Sequence, residues 1–116
     1  MRNDCLYLRD IIEAADAIAT FLKACSEEQF ISDDILKSAV LQKLTVIGEG
    51  AARLSQDIKN RYPSIPWADL VGFRNIAVHA YFSVEWSIVW VTATEDVPML
   101  RGQVASLLEQ IEGEQR

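Results

Sequence analysis

From Leu8 onward, apolar residues recur at Ile11, Ile12, Ala15, Ile18, Ala19 and Leu22. These steps of three and four line one face of a helix. The segment from Ser26 to Ile31 interrupts the pattern, and Ser32 or Asp33 then offers an N-cap for a second helix. There Leu36, Val40, Leu44, Ile47, Ala51, Leu54 and Ile58 keep the same stepping, which predicts a continuous helix of about six turns. A second stripe of small or apolar residues, Leu41, Thr45, Gly48 and Ala52, runs beside the first. Gly48 and Gly50 each cost a helix interior about 1 kcal/mol relative to alanine. Their presence points to a neighbouring helix in close approach, from the same chain or from a second copy, or to an ordinary groove in the chain's own core.

The pattern stops at Asn60-Arg61-Tyr62-Pro63-Ser64-Ile65-Pro66, where two prolines push Tyr62 and Ile65 out of the helical region. Pro66 suits the first position of a helix and Asp69 its positive end, so a third helix is expected from near Trp67. Ser83 is a candidate cap for a fourth, with Glu85 near its start and Trp86, Val89, Trp90 and Ala93 on one face. Trp67, Trp86 and Trp90 read as core. Thr94-Glu95-Asp96-Val97-Pro98 reads as a break, and Leu100, Val104, Leu107, Leu108 and Ile111 as a final helix. The fold class expected is all-α: an antiparallel bundle of about five helices with short connections.

Composition adjusts this picture only in places. The chain has 116 residues, half of them hydrophobic, which fits one helical domain over residues 1–116. It has no run of about 18 apolar residues to cross a bilayer, and Met1-Arg2-Asn3-Asp4 leads into an amphipathic pattern rather than the apolar block of a signal peptide, so the cytoplasm is the expected compartment. Cys5 and Cys25, read as lying on one helix, would stand about 30 Å apart. A disulfide needs Cα atoms within about 7 Å. One histidine and two distant cysteines also make a zinc site improbable, and no cofactor is expected. A net charge of −6 argues against broad polyanion binding. It leaves room for a local basic rim, for which Lys43, Arg53, Lys59 and Arg61 are candidates, because charges screen one another beyond about 8 Å in physiological salt.

The chemistry gathers in Phe73-Arg74-Asn75-Ile76-Ala77-Val78-His79-Ala80-Tyr81-Phe82, which carries the only histidine of the chain. Arginine offers a planar, permanent cation suited to phosphate oxygens, and histidine exchanges protons near neutrality. At about 100° per residue, Asn75 and His79 share a helical face while Arg74 lies about 140° round from His79. The arginine would have to bend toward the histidine, or the helix distort near it. Residue types alone fit a packed histidine and tyrosine beside a surface arginine more often than they fit a site.

The string Arg74-Asn75 through His79-Ala80-Tyr81 has the form R-N-x-x-x-H-x-Y and resembles the signature of HEPN domains as carried by HepT-like toxins. Met1-Arg2-Asn3-Asp4 with Leu6-Tyr7-Leu8, Ile47-Gly48-Glu49-Gly50-Ala51, Arg53-Leu54, Ile65-Pro66-Trp67 and the Tyr81-Phe82 exit resemble the same family. Gly50 departs from it, since alanine is expected there.

The resemblance implies an endoribonuclease toxin of a type VII-like system. It would act as a homodimer with a shared, metal-independent site and be paired with a minimal nucleotidyltransferase antitoxin. It assigns catalysis to Arg74 and His79 and modification by AMP to Tyr81, and gives Asn75, which its place on the helix allows to orient the imidazole or bind a phosphate oxygen, a supporting, phosphate-orienting role. The alternative is a non-catalytic nucleotide-binding or partner-binding module associated with a nucleotidyltransferase. It would use Arg74, Asn75 and His79 as a phosphate clamp.

Overall fold

The computed structural model describes residues 3–83 and 85–115, with the side chains of Ala80, Tyr81 and Ser83 outside that description. The architecture is all-α. Helix α1 (Asp4–Phe21) begins where the Asn3 side chain accepts the Leu6 amide at 3.1 Å. It ends before Ala24, which takes a left-handed φ of 59°. Cys25 therefore lies beyond α1, and the expectation of both cysteines on one helix is wrong; the two thiols are free.

The stretch after α1 is not the patternless break the sequence suggested. Glu27–Ile31 forms a short helix, α2, closed by a capping box in which Ser26 and Gln29 each satisfy the other's backbone amide. Its one buried side chain, Phe30, meets Trp86 edge-on at 6.3 Å and Trp90 at 5.5 Å. Asp33 then caps α3 (Asp34–Arg53) through the Leu36 amide, as one of the two expected caps.

Helix α3 is shorter than its apolar period. It stops at Arg53, Leu54 is extended, and Ser55 caps a separate helix, α4 (Gln56–Arg61). The cause is a competing set of hydrogen bonds from α1. Asp4 accepts the Ser55 amide at 2.9 Å and the Ser55 hydroxyl at 2.7 Å, which fixes the junction outside helical geometry. Helix α5 (Trp67–Ser83) starts where Pro66 predicts.

The last expected break is also absent. α6 (Trp86–Val91) passes through a π-helical turn (Thr92–Asp96) into α7 (Val97–Glu114). The Val97 amide donates to the Thr92 carbonyl five residues back, so the register shifts there by one residue. Pro98, which has no amide hydrogen, thereby falls in the first turn of a new α-helical stretch, where none is needed. α6, the π turn and α7 make one rod, so the described residues hold six helical bodies, two of them very short.

α3 sits at the centre, between α1 and α5, and α7 covers α1. The fully buried side chains include Leu8, Ile11 and Ile18 of α1, Val40, Leu44 and Ile47 of α3, Leu70 of α5 and Val104 of α7. Trp67 is buried with its indole N–H donating to the Tyr62 carbonyl at 3.1 Å, while Trp86 and Trp90 are half-buried against the core. Ion pairs Arg9–Glu112 and Arg101–Asp16 set α1 antiparallel to α7. Among the described residues no helix is long and apolar enough to cross a membrane.

Candidate active site

Two glycines on different sides of α3 decide how closely its neighbours pack. A Cβ on Gly48 would lie 2.8 Å from the Arg74 amide nitrogen, 2.9 Å from the Arg74 Cβ and 3.2 Å from the Val71 carbonyl oxygen. α5 therefore rests its backbone on α3 at the point where Arg74 leaves it. A Cβ on Gly50 would meet Ile11 Cγ1 of α1 at 3.1 Å. The close approach inferred from the small-residue stripe is thus met within the chain, twice.

The same crossing orients the arginine. Arg74 Nη1 donates to Glu49 Oε1 at 3.2 Å, and the other oxygen of that carboxylate lies 3.8 Å from Arg53 Nε. All three side chains keep partial contact with solvent, at 40% exposure for Arg74, 45% for Glu49 and 64% for Arg53. Glu49 and Arg53 also line a groove of about 390 Å³ between α1 and α3, with Tyr7, Asp10 and Gln42.

α5 stays helical through Ser83, so no distortion near His79 brings the histidine round to Arg74. Asn75 and His79 stand exposed on the shared face that their spacing predicts, while Phe73 and Ala77 turn into the core. Arg74 is directed to Glu49. Tyr81 belongs to α5, but the modification expected on its side chain falls outside the described residues. Beside the polar face, Val78 and Phe82 are 58% and 83% exposed and border a cavity of about 370 Å³ against Leu41, Gln42 and Thr45 of α3.

The expected basic rim is only partly assembled. Arg53 reaches the Arg74 cluster through Glu49, but Arg61 is turned to α7, where its guanidinium binds both oxygens of Glu114. That pair raises the Arg61 pKa above its ordinary value through the hydrogen bond and charge of Glu114. Lys43 and Lys59 are half-buried on α3 and α4. Glu49 is the residue that sequence reasoning missed. Its signal was present in the spacing to Arg53, four residues on, which is the favourable direction for a helical ion pair.

These features define a class: an antiparallel helical bundle whose central pair presents an arginine, an amide and a histidine, a set able to bind a phosphate oxygen and to move a proton. The comparisons narrow it. The family model described as "Ribonuclease HepT-like" matches residues 11–107. A Thermococcus cleftensis protein named "Probable ribonuclease HepT" is 37% identical over 101 residues, covering 87% of this chain and 92% of the relative. Two Methanocaldococcus jannaschii proteins bearing the name "Putative RNase" are 37% identical over 107 residues and 34% identical over 98, covering 92% and 84% of this chain and 88% and 90% of theirs. The chain belongs to the HepT-like ribonuclease family. No solved structure matches it.

Proposed function

We propose that this chain, acting as one HEPN-like domain in the cytoplasm, is an endoribonuclease toxin that cleaves RNA as a homodimer. In this reading Arg74 and His79 are catalytic and Asn75 orients the phosphate. The observation that carries it is the outward presentation of Asn75 and His79 next to the exposed apolar pair Val78 and Phe82, with Arg74 anchored at the same crossing. A second copy covering that apolar pair brings two motif helices together.

The chemistry calls for two copies. RNA cleavage by its own 2′-oxygen forms a bond from O2′ to phosphorus and breaks the bond from phosphorus to O5′, leaving a 2′,3′-cyclic phosphate and a 5′-hydroxyl. A base takes the 2′-hydroxyl proton and an acid gives one to O5′, and imidazole suits both roles. Each chain has one histidine, so a symmetric pair supplies a neutral His79 and a protonated one. Two Arg74 guanidiniums stabilise the charge on the phosphorane. This route needs no metal ion.

Control by a cognate nucleotidyltransferase antitoxin fits the same arrangement. The Tyr81 phenolic oxygen attacks the α-phosphate of ATP, pyrophosphate leaves, and the attached AMP puts a bulky anion on the motif helix, where it competes with the substrate phosphate. The test is cleavage of single-stranded RNA by the purified protein in excess chelator. His79→Ala and Arg74→Ala should each abolish cleavage and growth inhibition, and retained activity in either variant refutes the assignment.

A further inference from the structure

The carboxylate of Glu49 has one oxygen on Arg74 and the other facing Arg53. We propose that Glu49 is a positioning residue and resident counter-ion for Arg74, holding the guanidinium in the empty site and passing to Arg53 when a substrate phosphate takes its place. This inference rests on the part of the proposed function in which Arg74 meets a phosphate of bound RNA.

Three observations support it. First, the pairing is built into the helix crossing. Glu49 follows Gly48, and Gly48 is the point where the Arg74 backbone touches α3, so carboxylate and guanidinium start from adjacent, fixed backbone positions. Second, the pair contributes little to stability. Both side chains are close to half exposed, and exposed ion pairs are worth about 0.2–1 kcal/mol. An interaction of that size holds a side chain in place yet yields to the phosphodiester anion of RNA, which binds arginine through shorter, bidentate hydrogen bonds.

Third, the second partner is already in reach. Arg53 lies one turn further along α3, at 3.8 Å from Oε2, which is longer than a hydrogen bond and can close by a small side-chain rotation. The groove between α1 and α3, lined by Glu49 and Arg53, leaves room for that movement. As the phosphate arrives, Arg74 exchanges one anion for another while Glu49 keeps a cation beside it. No charge is left unpaired at any stage.

The handover predicts a specific kinetic signature. Glu49→Gln removes the competing anion and the guide together, so KM falls while kcat also falls, a combination that simple loss of structure does not give. Binding of a 2′-O-methyl RNA, which cannot be cleaved, should tighten by about 1.5- to 5-fold, the factor matching an exposed ion pair. In an Arg74→Gln background the same Glu49→Gln change should leave binding unaltered. Tightening that persists there reflects charge in general and overturns the proposal, as does unchanged or weaker binding by Glu49→Gln alone. Thermal unfolding of Glu49→Gln should match that of the parent protein, which separates the effect from misfolding.

The two readings fail separately. Wild-type protein that cleaves RNA but shows no coupling between positions 49 and 74 sinks the handover alone. Wild-type protein that leaves RNA intact yet shows the coupling on 2′-O-methyl RNA sinks the ribonuclease assignment and keeps the handover.

Discussion

Gly48 and Arg74 are in backbone contact: a Cβ at position 48 would lie 2.8 Å from the Arg74 amide nitrogen, a separation that real Cβ atoms do not reach. The glycine is therefore what allows α5 to sit deep enough on α3 for Glu49 to hold the guanidinium. Gly48→Ala gains about 1 kcal/mol of helix propensity and must displace backbone to do so, which costs about 1–3 kcal/mol. A net loss of stability is expected, together with loss of RNA cleavage, because Arg74 moves with α5. Gly50→Ala makes the opposite case. Its Cβ would meet the Ile11 side chain at 3.1 Å, which can shift by a few tenths of an ångström. Chemical denaturation should find Gly50→Ala within about 0.5 kcal/mol of the parent, since propensity and crowding nearly cancel. Equal destabilisation by the two substitutions would refute this account of the crossing.

Asp4 governs a second junction. Its two oxygens accept the amide and hydroxyl of Ser55 and hold the bend between α3 and α4. Asp4→Ala leaves those donors to water in a half-buried setting and should cost about 1–3 kcal/mol. At about 4 °C per kcal/mol for a chain of this size, calorimetry should see Tm fall by several degrees. Asp4→Asn keeps one acceptor oxygen and should fall by less.

The sequence made the long helices legible because periodicity is a local, redundant signal. α1, most of α3, the start of α5 and the apolar face of α7 were each expected from several residues in phase. It failed where one residue or one distant partner decides. α2 is too short for a period to emerge, although Ser26 and Gln29 spell its capping box. Leu54 and Ile58 continue the period of α3, and only Asp4, fifty-one residues from Ser55, breaks the helix between them. At Thr94-Pro98 the proline suggested a stop, but a π turn absorbs it. The motif was readable as chemistry, and the shared face of Asn75 and His79 followed from spacing. Glu49 as the partner of Arg74 was not readable, because it depends on the crossing of α3 and α5.

Gly102 tests the helix energetics where packing plays no part. It lies exposed within α7, and a Cβ there would meet nothing within 4 Å. Gly102→Ala should stabilise the protein by about 0.5–1 kcal/mol through helix propensity and a less flexible unfolded chain. RNA cleavage should be unchanged, since Gly102 is exposed and open space surrounds the position its Cβ would take. A neutral or destabilising result would mean that this face is covered in the working assembly.

Val78 and Phe82 offer the sharpest test of the dimer. Both are strongly exposed on the motif helix, so replacing them with serine removes little from the core of one chain. Surface substitutions of this kind usually alter stability by less than about 0.5 kcal/mol. If a second copy covers this patch, Val78→Ser/Phe82→Ser should keep the Tm of the parent but sediment as a monomer where the parent sediments as a dimer. Cleavage should disappear with the dimer, because a monomer carries one imidazole for two proton transfers. The dependence should be graded: raising the protein concentration should recover activity in step with the dimer fraction, with a second-order rise at low occupancy. A monomeric variant that retains full cleavage would show that one His79 suffices and that the site is complete within one chain.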